Sequence, residues 1–219
     1  MAVNLTRAGL NVVYVSLELS EEMISMRLDS MVSQVPSTEI FKRLDEVEIK
    51  VLQYGKRCGH LHVRQLPQGT TTNDLRAYLK NYEIETQKRP DVLVVDYLDL
   101  LFPNNKKIDP SNLFVKDKFV TEELRGLCVE RGMIGQTAAQ LNRGAVQEQE
   151  HDHSHISGGI SKIQTADNVI SIFASAAMKE RGQYQVQFLK TRSSSGVGSK
   201  VNLGFDPNTL RIFNEDSDG

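Results

Sequence analysis

The chain has 219 residues, a length that suits one large domain better than two independent ones. Its 39% hydrophobic and 25% charged residues are ordinary for a globular domain, and the formal net charge of -2 excludes a uniformly basic surface. The two cysteines, Cys58 and Cys128, form no C-x-x-C pair, which argues against a disulfide framework or a zinc site. The sequence shows no signal-peptide pattern and no membrane-spanning run, so we expect a cytoplasmic protein without a membrane partner.

Apolar periodicity predicts alternating helices and strands over the first two thirds of the chain. The predicted strands are 12–17, 60–66, 92–96 and 134–140. The predicted helices are 1–8, one that follows Ser20, two short ones within 36–59, and two longer ones within 70–88 and 112–132. Ser20, Ser37 and Asp45 are candidate N-caps, and Gly9 is a candidate helix end.

The last third of the chain is predicted to contain strands only, after a polar loop at 142–159. These strands are 169–174, 184–192, 200–206 and 210–213. The whole pattern indicates an α/β domain over residues 1–213, with a mostly parallel sheet and an antiparallel edge made of hairpins. Residues 214–219 are expected to be a disordered tail.

Three of the predicted strands end in a polar side chain that could serve chemistry. In "KRPDVLVVDYLDLLF" an unbroken apolar run ends at Asp96, and the other strand ends carry Glu18 and Gln140. Ligands of parallel sheets bind outside the carboxyl ends of the strands. A carboxylate there suits Mg²⁺, a second carboxylate can polarise a water, and a carboxamide can sense a phosphate oxygen. Each residue alone could instead serve a helix start, a turn or a loop cap.

The phosphate loop G-x-x-x-x-G-K-[ST] that nucleotide hydrolysis would need is absent from the 219 residues. The stretch "SSSGVGSK" at 193–200 has the wrong order and lies where a hairpin turn belongs. The predicted helix at 1–8 has no capping residue before it, so we expect the native protein to continue upstream with this loop.

A pair of cations near the end of a predicted strand is the second unusual feature. Lys190 and Arg192 are two residues apart in "FLKTR", so they point to one face of the strand. Supplied to a neighbouring subunit, they could cover a phosphate and make hydrolysis depend on assembly. A solvated edge-strand face is the alternative interpretation.

Five ordered motifs resemble the C-terminal motor domain of DnaB-type replicative helicases, which has a RecA-like P-loop NTPase fold. The motifs are "VVYVSLELSEEMISMRL", "VLVVDYLDLL", "TAAQLNR", "SKIQTADNVI" and "FLKTRSSSGVGSKVNLGFD". The resemblance covers residues 1 to about 213, and the short connections look most like those of the replicative helicases of T-even-like phages. The missing Walker A loop and the missing N-terminal domain depart from the family pattern.

The resemblance implies a role for each matched residue. The catalytic set would be Glu18 as the water-activating carboxylate, Gln140 as the coupling glutamine, and Lys190 and Arg192 as fingers reaching the adjacent subunit. Asp96 would be the Walker B residue that holds Mg²⁺. Residues near the channel loops would bind DNA: Lys106, Lys107, Lys116, Lys118, Arg143, Gly158, Gly159, Ser161 and Lys162.

The resemblance further implies hydrolysis of ATP or another NTP with Mg²⁺, translocation on single-stranded DNA, and duplex unwinding by a homo-hexamer. Primase and a helicase loader would be partners, and the fragment by itself is expected to be inactive. Alternatives are a recombinase- or clock-type RecA-like ATPase and a catalytically dead RecA-like assembly module. His151, His153 and His155 could bind a metal, although a solvated channel loop is the more economical interpretation. A weak, pH-dependent contact to DNA phosphate is a third interpretation.

Overall fold

The computed structural model describes residues 1–140 and 160–214. The predicted polar loop at 142–159 and residues 215–219 of the predicted tail lie outside this part of the chain. The protein divides into two compact units, Met1–Ala139 and Gln140–Gly219. None of the described helices is long and apolar enough to cross a bilayer.

Helices and strands alternate in the first unit, as the apolar pattern predicts. The strands are β1 (Val12–Ser16), β2 (Leu61–Gln65), β3 (Val92–Asp96) and β4 (Ile134–Thr137). The helices are α1 (Ala2–Arg7), α2 (Glu21–Ser33), α3 (Leu44–Gly55), α4 (Thr72–Thr86) and α5 (Leu113–Arg131), with 3₁₀ helices at Ile40–Lys42 and Leu98–Leu100.

The strands of the first unit form a parallel sheet in the order β2-β1-β3-β4. Successive residues of a strand face opposite sides of a sheet, and both sides are covered here by helices. Val12, Val92 and Val94 pack with Ala2 of α1 on one face. The opposite face packs against α4 and α5, through Val13, Val15, Leu93, Val95, Leu75, Leu79, Leu124 and Leu127. The predicted α/β class with helices on both faces of a parallel sheet is therefore confirmed.

Local capping agrees with the sequence at some helix ends and not at others. Ser20 caps α2, because its side chain accepts a hydrogen bond from the backbone N–H of Met23. Gly9 follows α1 with a φ of 88°, a left-handed conformation that glycine adopts without strain. The predicted caps Ser37 and Asp45 are wrong, because the 3₁₀ helix begins at Ile40 and Asp45 lies inside the first turn of α3.

The second unit contains an antiparallel sheet and two short helices. Its strands pair in the order β5-β6-β7-β8, at Asn168–Phe173, Gln183–Thr191, Lys200–Asp206 and Arg211–Phe213. The predicted antiparallel strands are confirmed. Within the described residues they form a second sheet, separate from the parallel one. The strand-only prediction is wrong, because α6 (Ile160–Thr165) precedes the sheet and α7 (Ala176–Glu180) lies between β5 and β6.

Two histidine–tyrosine pairs join strand β2 to helix α4. The imidazole of His60 shares a hydrogen bond of 2.9 Å with the Tyr82 hydroxyl, and that of His62 shares one of 2.6 Å with the Tyr78 hydroxyl. Burial lowers the pKa of both histidines below the usual value of 6.5. The folded protein therefore favours their neutral forms.

We predict that these histidines destabilise the protein as the pH falls. Below about pH 6.5 the unfolded chain takes up protons that the folded chain, with its lower pKa values, does not. The stabilisation is present above that pH and is lost as the pH falls through the folded-state pKa values. Urea unfolding at pH 7.5 and at pH 5.5 measures the free energy of unfolding. Between these two pH values, that free energy should fall less for the double variant His60→Gln/His62→Gln than for the parent chain. Equal losses would contradict this account.

Candidate active site

Hydrogen bonding between β1 and β3 sets the geometry of the candidate site. The two strands are parallel neighbours, and Ser16 stands directly opposite Asp96 in the register. The backbone N–H of Leu17 donates to the carbonyl of Asp96 at 2.8 Å, so the pairing continues to the end of both strands. Glu18 follows immediately, and Glu18 and Asp96 thus leave the carboxyl ends of adjacent strands.

A tight turn presents Glu18 between β1 and α2. The hydroxyl of Ser16 donates to the carbonyl of Leu19 at 2.7 Å and accepts from the N–H of Leu19 at 3.0 Å. These two bonds close the turn over Glu18, whose side chain is exposed. The turn therefore places Glu18 just beyond the end of β1, with its side chain open to solvent.

Asp96 receives a hydrogen bond from a tyrosine in the neighbouring strand. The Tyr14 hydroxyl donates to Oδ2 of Asp96 at 2.5 Å. Burial, followed by this hydrogen bond and the negative charge of Asp96, raises the pKa of Tyr14 well above its usual value. Tyr14 is therefore a permanent donor at neutral pH, and Oδ1 of Asp96 accepts no hydrogen bond from the described residues.

The negative charge at this sheet end is concentrated around Tyr97. Burial raises the pKa of Tyr97, and the charges of Glu18, Asp99 and Asp96 raise it further. Glu18 and Asp96 both contribute to this shift, which agrees with their position at the same end of the sheet. Carboxylates gathered at one place favour a bound cation.

A cavity of about 280 Å³ adjoins Asp96 within the first unit. Its wall comes from the start of α1, from α2 and from strands β1, β3 and β4, at Met1, Ala2, Val3, Tyr14, Ile24, Arg27, Leu28, Met31, Val94, Val95, Asp96, Gln136, Thr137 and Ala138. Arg27 is an exposed cation of α2 and brings a positive charge to the same cavity as the carboxylate of Asp96. The cavity thus combines an anion-binding and a cation-binding group.

The donor set at Asp96 fits a magnesium ion. Mg²⁺ in nucleotide sites takes one or two carboxylate ligands and completes its coordination with water and phosphate oxygens. Oδ1 of Asp96 is available for such a bond, while Tyr14 holds Oδ2 and fixes the plane of the carboxylate. The hydroxyl of Ser16 is already hydrogen-bonded to the backbone of Leu19 and is therefore less suitable as a Mg²⁺ ligand.

Strand β4 ends earlier than predicted. Its last residue is Thr137, whose hydroxyl donates to the carbonyl of Val95 at 2.8 Å. The chain then runs on without regular structure, and the N–H of Leu98 donates to the carbonyl of Ala138 at 3.2 Å. Gln140 is exposed and opens the second unit, so its predicted part in the site remains a prediction.

Lys190 and Arg192 both bind the carboxyl end of helix α6. The ammonium of Lys190 donates to the carbonyls of Ile163 and Gln164 at 2.6 and 2.9 Å. The guanidinium of Arg192 pairs with Asp167 at 2.7 Å and donates to the carbonyl of Gln164 at 2.9 Å. Lys190 lies in β6 and Arg192 one residue beyond its end, and both cations stabilise a helix end that the sequence did not reveal.

The residues predicted to bind DNA differ in exposure. Lys106, Lys107 and Lys118 are exposed, whereas Lys116 is 5% exposed and donates to the carbonyl of Asp99. The assignment of Lys116 is therefore corrected to a buried lysine of α5, whose ammonium also lies 5.5 Å from the centre of the Phe102 ring.

Ser161 and Lys162 were expected in a DNA-gripping loop and lie instead in helix α6, each 6% exposed. Side chains buried to this degree argue against a direct contact with DNA. The remaining predicted residues lie outside the described part of the chain, and these are Arg143, Gly158, Gly159, His151, His153 and His155.

The sequence did not single out Tyr14, Tyr97 or Arg27. Tyr14 interrupts a run of valines, and a tyrosine hydroxyl inside a buried strand usually needs a hydrogen-bond partner. That signal could have marked Tyr14, but its partner follows only from the β1–β3 register.

The arrangement is an α/β domain with carboxylates at the carboxyl end of a parallel sheet, and comparison with known proteins places the chain in a family. Residues 1–214 match the family model of the DnaB-like helicase C terminal domain, so the chain belongs to that family. Over 202 residues it is 27% identical to a DnaB-like replicative helicase of Enterobacteria phage T4, covering 88% of this chain and 42% of that relative. The chain thus spans less than half the length of this relative.

Two solved structures share the fold. One is a DnaB-like replicative helicase studied with its interactions with primase, with a TM-score of 0.81, 16% identity, and coverage of 97% of this chain and 54% of that chain. The other is a separately solved ATPase domain, with a TM-score of 0.81, 17% identity, and coverage of 97% of this chain and 77% of that chain. The predicted resemblance to the DnaB-type motor domain is confirmed.

We predict that Tyr14→Phe lowers the free energy of unfolding by about 1–3 kcal/mol, because a charged, partly buried carboxylate loses its donor. Tyr184→Phe is the control, since the Tyr184 ring packs edge-on against Phe205 and its hydroxyl makes no hydrogen bond to the described residues. Urea unfolding measures both. A loss for Tyr14→Phe no larger than that for the control would show that the Asp96 bond adds nothing to stability.

Proposed function

We propose that this domain is the motor core of a replicative DNA helicase, which couples NTP hydrolysis to translocation on single-stranded DNA and to duplex unwinding. One observation carries the proposal: the β1–β3 register brings Glu18 and Asp96 to the same end of the sheet, where Asp96 also lines a cavity. Membership of the DnaB-like helicase C-terminal family supports it. The proposed setting is the cytoplasm of a bacterial or phage-infected cell.

Each group at the sheet end has a definite task in this proposal. Asp96 would hold Mg²⁺ through Oδ1, and the ion, when bound, would neutralise phosphate charge during transfer. Tyr14 keeps the Asp96 carboxylate in one orientation. Glu18, exposed on its turn, would position a water and accept its proton. Gln140 would sense the terminal phosphate and relay its loss to the DNA-binding loops.

The proposed assembly is a ring-shaped homo-hexamer in which Lys190 and Arg192 reach the nucleotide of a neighbouring subunit. Both cations are bound to the end of α6 in the single chain. The Arg192–Asp167 pair is about half exposed, and such pairs contribute at most about 1 kcal/mol to stability. Replacing Asp167 by a phosphate as the partner of Arg192 would therefore cost little free energy.

DNA contacts are proposed for the exposed Lys106, Lys107 and Lys118, together with Arg143, Gly158 and Gly159 of the undescribed segment. Primase is a proposed partner because a structural relative was studied with primase, and a helicase loader is proposed by analogy with the family. The 219 residues contain no phosphate loop, so we expect weak nucleotide binding and no useful hydrolysis from them alone.

We predict that Glu18→Gln lowers DNA-stimulated NTP hydrolysis by at least about 100-fold, because the general base is lost, while NTP stays bound. The assay measures phosphate release with single-stranded DNA, on protein in which a G-x-x-x-x-G-K-[ST] loop precedes Met1. Glu48→Gln, an exposed carboxylate of α3, is the matched control and should keep full activity. Unchanged turnover in Glu18→Gln would remove this residue from the chemistry, and no DNA stimulation in the parent would refute the motor proposal.

We predict that Arg192→Ala lowers DNA-stimulated hydrolysis by about 1000-fold or more and leaves NTP binding nearly unchanged, as expected of a finger acting on a neighbour. Asp167→Ala is the discriminating control, because it breaks the same ion pair and keeps the guanidinium. Hydrolysis and equilibrium NTP binding are measured for both variants. If Asp167→Ala loses as much activity as Arg192→Ala, the arginine serves the α6 end and not a phosphate.

A further inference from the structure

Three helices of the first unit end around an open cleft of about 930 Å³. The ends of α1, α2 and α3 supply its wall. Four cations line it, Arg7, Lys50, Lys56 and Arg57, and no acidic residue does. The cleft shares no lining residue with the cavity beside Asp96, so it is a separate feature of the surface.

Two of the four cations are held in place. The guanidinium of Arg7 lies 5.5 Å from the centre of the Tyr54 ring, and the Tyr54 hydroxyl donates to the carbonyl of Val3 at 2.6 Å. The guanidinium of Arg7 makes no ion pair or side-chain hydrogen bond to the described residues, so its N–H groups are available. Lys50 donates to the carbonyl of Ser33 at 2.8 Å and to Glu46 at 2.7 Å, which fixes it and offsets its charge.

The other two cations have no partner in the described chain. Lys56 and Arg57 directly follow α3, are exposed, and make no ion pair or side-chain hydrogen bond to residues 1–140 or 160–214. Their charges add to that of Arg7 on a chain whose formal net charge is -2. The positive charge is therefore a local concentration and not part of a general excess.

Favourable contacts between cations and helix carboxyl ends explain only part of this cluster. Lys50 binds the last carbonyl of α2, and Arg7 lies in the last turn of α1, so both stabilise helix ends. Lys56 and Arg57 add mutual repulsion that no carboxylate of the cleft relieves. A bound anion would relieve it.

We infer that this cleft binds a phosphate-bearing ligand. The edges of Arg7 and Arg57 match phosphate oxygens in paired hydrogen bonds, and Lys56 adds a point charge. A volume of about 930 Å³ is within the range of ligand pockets and exceeds the needs of a single ion. The phosphate groups could belong to a free oligophosphate or to the backbone of single-stranded nucleic acid.

Cys58 offers a direct readout because it lines the same cleft and is partly exposed. Cys128 is the internal control, since burial raises the pKa of its thiol to about 11 and keeps it unreactive. Iodoacetamide labelling of the 219-residue chain is followed by mass spectrometry, with tripolyphosphate, oligodeoxythymidylate or polyglutamate as the probe. Isothermal titration measures the same three probes directly.

We expect a phosphate probe to slow labelling of Cys58 several-fold and to bind the parent chain measurably. The double variant Lys56→Ala/Arg57→Ala should weaken that binding about 10-fold or more, whereas the control pair Lys80→Ala/Lys88→Ala, exposed lysines elsewhere, should not. Tighter binding of tripolyphosphate per phosphate would identify a free oligophosphate, and binding that strengthens with oligonucleotide length would identify a nucleic-acid backbone.

Three results would overturn the inference. In the first, neither phosphate probe binds the parent chain. In the second, the Lys56→Ala/Arg57→Ala variant binds the phosphate probes as tightly as the parent chain does. In the third, polyglutamate binds as tightly as a phosphate probe of equal charge. All four substitutions in the variants replace exposed side chains, so circular dichroism should confirm that each variant is folded.

Discussion

The in-register hydrogen bonding of β1 to β3 is the constraint on which the candidate site depends. A slip of one residue would turn every side chain of one strand to the opposite face of the sheet. Such a slip would turn the side chains of Val13 and Val15 away from α4 and α5 and toward the face of the sheet that packs against α1. It would also separate Tyr14 from Asp96. The apolar alternation that forms the core therefore also fixes the position of the carboxylates at the sheet end.

The electrostatics of the sheet end follow from this register. Tyr14 satisfies one oxygen of Asp96 with a neutral donor, and no arginine or lysine of the described residues forms an ion pair with this carboxylate. Glu18 and Asp99 add negative charge nearby, as the raised pKa of Tyr97 indicates. A buried arginine or lysine paired with Asp96 would have made a more ordinary structural ion pair, and it would have competed with a divalent cation for the same oxygen.

The sequence predicted what local pattern can specify and failed where tertiary register or short elements decide. The apolar run before Asp96 and the serine cap of α2 follow from local rules, and both were found. The five-residue helix α7 is shorter than two helical turns, so it carries no periodic signal and was missed.

Helix phase explains why one lysine was misassigned. In sequence Lys116 and Lys118 look alike, but Lys116 lies in line with Val120, Leu124 and Leu127 on the buried stripe of α5. Its stem packs inside and its ammonium reaches a backbone carbonyl, whereas Lys118 falls outside the stripe and is exposed. The DNA-binding prediction grouped Lys116 and Lys118 with Lys106 and Lys107, and the start of α5 at Leu113 divides that group.

The contacts of Lys190 and Arg192 also bear on how these two proposed finger residues are positioned when no neighbouring subunit is bound. A helix carboxyl end carries roughly half an elementary negative charge, less than a phosphate oxygen cluster offers. The carbonyls of Ile163 and Gln164 hold Lys190 in a defined orientation and accept two of its three N–H donors, but they bind it less strongly than a phosphate would. The same reasoning applies to Arg192, which has one carbonyl and one exposed carboxylate as partners. In the proposed assembly both cations would stay ordered in a single subunit and transfer to a stronger anion when a neighbour presents one, with little reorganisation because Lys190 and Arg192 already lie together at the end of β6.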